Sequence, residues 1–131
     1  METKEKQYTY LYDKKKKEGV AKLGMMMNGV WDRDPKRLGF VLSRYKFVSK
    51  IFEGKKNVLE VGCGDAWASR IVSQTVDKLT VSDFDPLFIE DFLSRDNEKW
   101  NFETLVIDFT KSSTEMKYDA IYLLDVFEHI R

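Results

Sequence analysis

The sequence predicts an α/β protein, a parallel sheet wound by helices and preceded by a helical segment. Three observations carry that expectation. From residue 57 onward, short apolar runs alternate with amphipathic ones, the order that builds parallel strands joined by right-handed crossovers. The stretch Asn57-Val58-Leu59-Glu60-Val61-Gly62-Cys63-Gly64-Asp65-Ala66-Trp67-Ala68 reads as a buried strand, a tight glycine turn and the start of a helix. Ahead of it, Leu38, Val41, Leu42, Tyr45, Val48 and Phe52 recur at three- and four-residue spacing, which gives one apolar helix face.

The elements follow in order. Residues 1–34 form a basic, polar lead-in. Its Met25-Met26-Met27 triplet reads either as core filler or as a flexible apolar contact near a site. A helix is expected over 35–53, with Asp34 as its cap, Pro35 in its first turn and Gly54 at its end. Then come strand 58–61, helix 66–76, strand 79–82, helix 86–95, strand 104–107 and strand 119–124. Asp85 and Pro86 suit the cap and first turn of the helix they open. Residues 35–131 are read as one domain, since 131 residues bury one good core and not two.

Composition narrows the class. Hydrophobic residues at 43% and aromatics at 14% describe a folded protein and exclude a disordered one. The one cysteine, Cys63, has no internal partner for a disulfide, so a reducing, cytoplasmic setting is expected. No apolar run is long enough for a membrane span. The zero net charge hides an asymmetry: residues 1–57 hold 15 Lys and Arg against 7 Asp and Glu, and the remainder reverses those totals. Lys14 to Lys17 read best as a solvated face. Tyr8, Tyr10 and Tyr12 beside them keep single-stranded nucleic acid as the weaker alternative.

The glycine turn carries the chemistry. Glycines at 62 and 64 let backbone approach a ligand closely, and a helix start beyond them would offer unpaired N–H groups. A dinucleotide fingerprint needs glycine at 67, where Trp67 stands, and no Gly-Lys-Ser/Thr follows for a phosphate loop. The remaining pattern, Glu60-x-Gly62-x-Gly64-x-Ala66, resembles the acid-x-G-x-G-x-G motif of class I S-adenosylmethionine-dependent methyltransferases, with alanine for the third glycine. Asp83-Phe84-Asp85-Pro86, 21 residues past Gly62, resembles the family's acidic loop. Asp108-Phe109 and Tyr118 through Ile130 fall where its third and fourth strand ends would lie.

The resemblance implies a Rossmann-like sheet of strand order 3-2-1-4-5-7-6, of which the first four strands are readable here. It implies S-adenosyl-L-methionine as cofactor and S-adenosyl-L-homocysteine as product. It also implies cofactor contacts from Glu60, Gly62, Cys63, Gly64, Asp83 (ribose), Phe84, Asp108 (adenine amino group), Phe109 and Asp125. Pro35-Lys36-Arg37-Leu38-Gly39-Phe40 resembles a segment of ubiquinone-type O-methyltransferases whose arginine pairs with the cofactor carboxylate. Arg37 is accordingly the expected partner and Arg44 the second choice, a task suited to a planar guanidinium fork. The alternative is that Arg37 lies on an ordinary solvated face.

No residue is assigned as catalytic base, with Asp125 and His129 expected to line the substrate side. Asp125-x-x-Glu128-His129 also resembles a divalent-metal site of some O-methyltransferases, the lesser reading beside a plain structural role for His129. The expected function is methyl transfer to a small-molecule or glycan acceptor, with no membrane. The alternative is a cofactor-binding fragment or partner subunit without catalysis of its own. The early stop after a nearly all-apolar fourth strand suggests a piece of a longer enzyme, or a sheet completed by a second copy or another chain. Catalysis by these residues alone is expected to be weak or absent.

Overall fold

The computed structural model describes residues 2–95, 98–100 and 102–129; Ile130, the end of the expected fourth-strand segment, lies outside them. The element order is α1 (Thr9–Glu18), α2 (Met25–Arg33), α3 (Lys36–Ile51), β1 (Asn57–Val61), α4 (Arg70–Ser73), β2 (Lys78–Asp83), α5 (Pro86–Ser94), β3 (Glu103–Val106) and β4 (Ala120–Leu123). The four strands are all parallel and lie in the order β3-β2-β1-β4. The chain steps outward from β1 through β2 to β3, then returns to place β4 on the other side of β1. That reversal makes the gap between β1 and β4 the topological switch point, where ligand crevices form in open parallel sheets.

Strand alternation sorts the core. Val58 and Glu60 share a face of β1, and the register sets Glu60 opposite Tyr122 of β4 and Val81 of β2. On this face Tyr45 of α3 meets Tyr122 edge-on, with ring centroids 6.2 Å apart, and Phe52 does so at 5.9 Å. Val58, Val72 and Val81 are entirely buried. Each buried side chain of this kind contributes about 1.5–3 kcal/mol.

Two expectations about helices change. The lead-in carries two helices, of which α1 is exposed along its whole length while α2 buries Met27 and Val30 against Leu38, Trp67 and Leu23. The helix expected over 66–76 contracts to the single turn of α4. The cause is local. Ala66 sits at φ +53°, outside the helical region, and the chain on either side is tied by tight three-residue bonds such as Ser69 N to Ala66 O and Thr75 N to Val72 O. Elsewhere Asp85 caps α5 by accepting from Leu87 N at 3.0 Å, with Pro86 in the first turn. Asp34 does not cap α3 through its side chain; the carboxylate takes Lys36 at 2.7 Å instead.

Candidate functional site

A cleft of about 650 Å³ opens at the carboxyl ends of β1, β2 and β4, roofed by α2 and walled by α3. Its floor is the turn after β1. Gly62 at φ +73° and Gly64 at φ +56° occupy backbone conformations that side chains rarely adopt. A Cβ on Gly62 would overlap Val126, and one on Gly64 would press on the Met26 methyl. Bare backbone is therefore what the cleft meets there.

The turn is self-contained. Gly62 N and Cys63 N both donate to Ser82 O, at 2.8 and 2.9 Å. Gly64 N donates to Asp83 Oδ2 at 2.9 Å, Ala66 N to Cys63 O at 3.0 Å and Trp67 N to Asp65 Oδ1 at 3.2 Å. With these donors used and α4 only one turn long, the expected array of unpaired N–H groups at a helix start is not what this turn offers. It offers close approach. Cys63 is buried, and burial together with Glu60 and Asp83 pushes its thiol far up, toward the protonated form that suits small filler in the turn.

The tip of β2 supplies Asp83, 6% exposed, whose two oxygens accept one bond each, from Gly64 N and from Asp85 N at 3.0 Å. A carboxylate has about four acceptor positions, so about half remain for a ligand. Phe84 follows it, exposed at the rim. From α3 come Arg37, Val41, Arg44 and Tyr45. Arg44 pairs with Asp125, which stands after β4 at φ +54°. Among the described residues no carboxylate pairs with Arg37. Glu128 and His129 also line the cleft, 3.8 Å apart.

Three expected contacts lie elsewhere. Glu60 is 1% exposed beneath the turn, where it accepts bonds from the hydroxyls of Tyr45, of Ser69 at 2.5 Å and of Tyr122 at 2.7 Å. Burial pushes its carboxyl up to about 7, against the pull of those three donors. Asp108 and Phe109 do not line the cleft. The Asp108 carboxylate closes its own turn on Thr110, accepting from N at 2.9 Å and Oγ1 at 2.6 Å, bonds that hold it below the usual range. Asp125, Glu128 and His129 do not converge: among the described residues no group of three potential ligands could hold a metal ion.

Of the Met25-Met26-Met27 triplet, expected either as core filler or as an apolar contact near a site, Met26 and Met27 line the cleft and Met25 does not, and Met27 is also buried in the core. Trp67, Tyr45, Val30 and Asp65 were not expected in the lining. The signal available for them was weak, since Trp67, Tyr45 and Val30 belong to apolar patterns that serve packing equally well and Asp65 reads as one polar residue of the glycine turn.

Comparison with known proteins agrees with this architecture. The family model described as "Methyltransferase domain" matches residues 33–131. None of the curated proteins matches the sequence. Among solved structures, the N-methyltransferase NodS from Bradyrhizobium japonicum in complex with S-adenosyl-L-homocysteine aligns at 23% identity and a TM-score of 0.56, over 70% of this chain and 46% of that one. The plantazolicin methyltransferase BpumL in complex with the same compound aligns at 18% identity and 0.54, over 88% and 44%. Coclaurine N-methyltransferase bound to N-methylheliamine and S-adenosyl-L-homocysteine aligns at 23% and 0.54, over 66% and 26%. The chain thus spans less than half the length of each of these three, and at such identities the likeness is one of fold. With the family match covering most of its length and the sheet order in agreement, the chain belongs to the methyltransferase domain family.

Proposed function

We propose that the cleft binds S-adenosylmethionine and that the chain is the cofactor-binding portion of an enzyme that methylates a small-molecule or glycan acceptor. One observation carries the reading: at the switch point, bare glycine backbone, a half-satisfied Asp83 and an Arg37 that pairs with no carboxylate among the described residues face one cleft. These suit the parts of that cofactor in turn. Gly62 and Gly64 leave room for its chain, Asp83 has acceptor positions for the ribose hydroxyls, Phe84 offers a ring face to adenine, and Arg37 a planar fork to the carboxylate. The reading rests on these and not on Glu60, Asp108 or Phe109, which stand outside the cleft. When bound, the cofactor would supply an activated methyl group on a sulfonium.

The remaining work belongs to the chain. Met26, Met27, Val30 and Trp67 keep water from the cleft, and orientation of the acceptor can lower the barrier by on the order of 7–11 kcal/mol. An amine acceptor needs only to arrive neutral. A hydroxyl acceptor would need a base, for which His129 and Asp125 are the groups on the open side. The alternative, cofactor binding without methyl transfer, has the same site and differs only in turnover. Arg37→Ala should weaken S-adenosylhomocysteine binding by roughly tenfold or more, the loss of a charge-assisted bidentate pair. Its thermal midpoint should not move, because Arg37 is exposed. Equal affinity in a calorimetric titration would remove Arg37 from the site.

A further inference from the structure

Helix α2 is capped from a distance. The first N–H groups of a helix have no partner inside it. Here Met25 N donates to Asp91 Oδ2 at 2.9 Å, and Met26 N and Met27 N both donate to Asp65 Oδ2, at 3.0 and 2.8 Å. Asp65 belongs to the glycine turn and Asp91 to α5, so the cap is built by the sheet domain and not by the segment before the helix. Arg95 fastens the two, bonding the Asp91 carboxylate and the Asp65 carbonyl oxygen. Asp65 is 3% exposed, and its other oxygen holds Trp67 N. Gly24 completes the joint, because a Cβ there would overlap the Asp65 carboxyl group. The underside of α2 then lays Met26 over Gly64 and turns Val30 to the cleft.

We propose that Asp65 is a positioning residue that latches α2 as the roof of the cofactor cleft, coupling the closed roof to the ligand-receiving form of the glycine turn. The inference rests on the cofactor reading above. Its physical basis is that one carboxylate serves both parts: Oδ1 shapes the turn through Trp67, and Oδ2 receives the positive end of the helix. At nine residues α2 is too short to persist as a helix in water without this anchor and its buried face. Undocking therefore means unfolding, and a ligand beneath the roof would favour the latched state.

The test is amide hydrogen exchange across residues 25–30 of the full chain, with and without saturating S-adenosylhomocysteine, paired with calorimetry on Gly24→Ala, Asp65→Ala and Asp65→Asn. The latch predicts that the ligand slows exchange in this segment. It predicts that Gly24→Ala, which removes no lining side chain and acts by pushing the Asp65 carboxylate off the helix start, speeds exchange and weakens binding by roughly tenfold, the scale of one lost helix cap. Asp65→Asn, which keeps an acceptor oxygen, should recover part of what Asp65→Ala loses and serves if Gly24→Ala does not fold. Equal affinity in wild type and Gly24→Ala, or exchange in α2 indifferent to ligand, would overturn the latch alone. No binding by a folded wild-type chain would instead remove the cofactor reading on which it stands.

Discussion

At the scale of single residues, the buried Glu60 shows how one side chain sets stability without touching a ligand. Its carboxyl sits at about 7 in the fold against an ordinary 4.5, so the folded chain holds that proton more tightly than the unfolded one. The stability this group contributes is therefore fully present below about 4.5 and is lost as pH rises through about 7, an effect on the order of 3 kcal/mol. Glu60→Gln cannot titrate. Urea midpoints measured from pH 4.5 to 8 should fall for the wild type relative to the variant, and parallel profiles would contradict this account. The sequence showed the acid of an acid-x-Gly pattern but not the face it would take. Alternation along β1 pairs Glu60 with Val58 under α3, and only the packing of Tyr45 and Tyr122 decides that this face is closed. Ala66 is similar: a small residue was legible, but the positive φ that shortens α4 was not.

At the scale of elements, the strands and the long helix α3 were readable because their apolar periods agreed with tertiary burial, although the side-chain cap expected from Asp34 did not form. Each expected strand appears within a residue or two of its predicted ends. The lead-in was less legible, for contrasting reasons in its two helices. Helix α2 draws its cap from Asp65 and Asp91, more than thirty residues away in sequence, so no local pattern announces it. Helix α1 has no apolar face to read. Tyr10, Leu11 and Tyr12 are exposed among lysines, and its ion pairs, Lys14 with Glu18 and Lys16 with Asp13, lie on the surface and are worth little. Removing residues 1–18 should accordingly change unfolding free energy by no more than about 0.5 kcal/mol. A denaturant titration that showed a larger loss would mean that α1 packs where the structure leaves it free.

At the scale of the molecule, the charge asymmetry of the sequence acquires a place. Arg37 and Arg44 from the basic half face Asp83 and Asp125 from the acidic half across one cleft, a setting suited to a ligand that carries both signs. Among the described residues no helix is long and apolar enough to cross a membrane. Within the four-stranded sheet β4 is an edge, and Ile121 on it is 51% exposed. Such an edge can pair with further strands of the same or another chain. The central claim is the cofactor site at the β1–β4 switch point, and calorimetric titration of S-adenosylhomocysteine into the folded wild-type chain tests it most directly. Saturable binding of one molecule per chain is the predicted result. A folded chain that gives no saturable heat, and no shift in its thermal midpoint with the compound present, would contradict it.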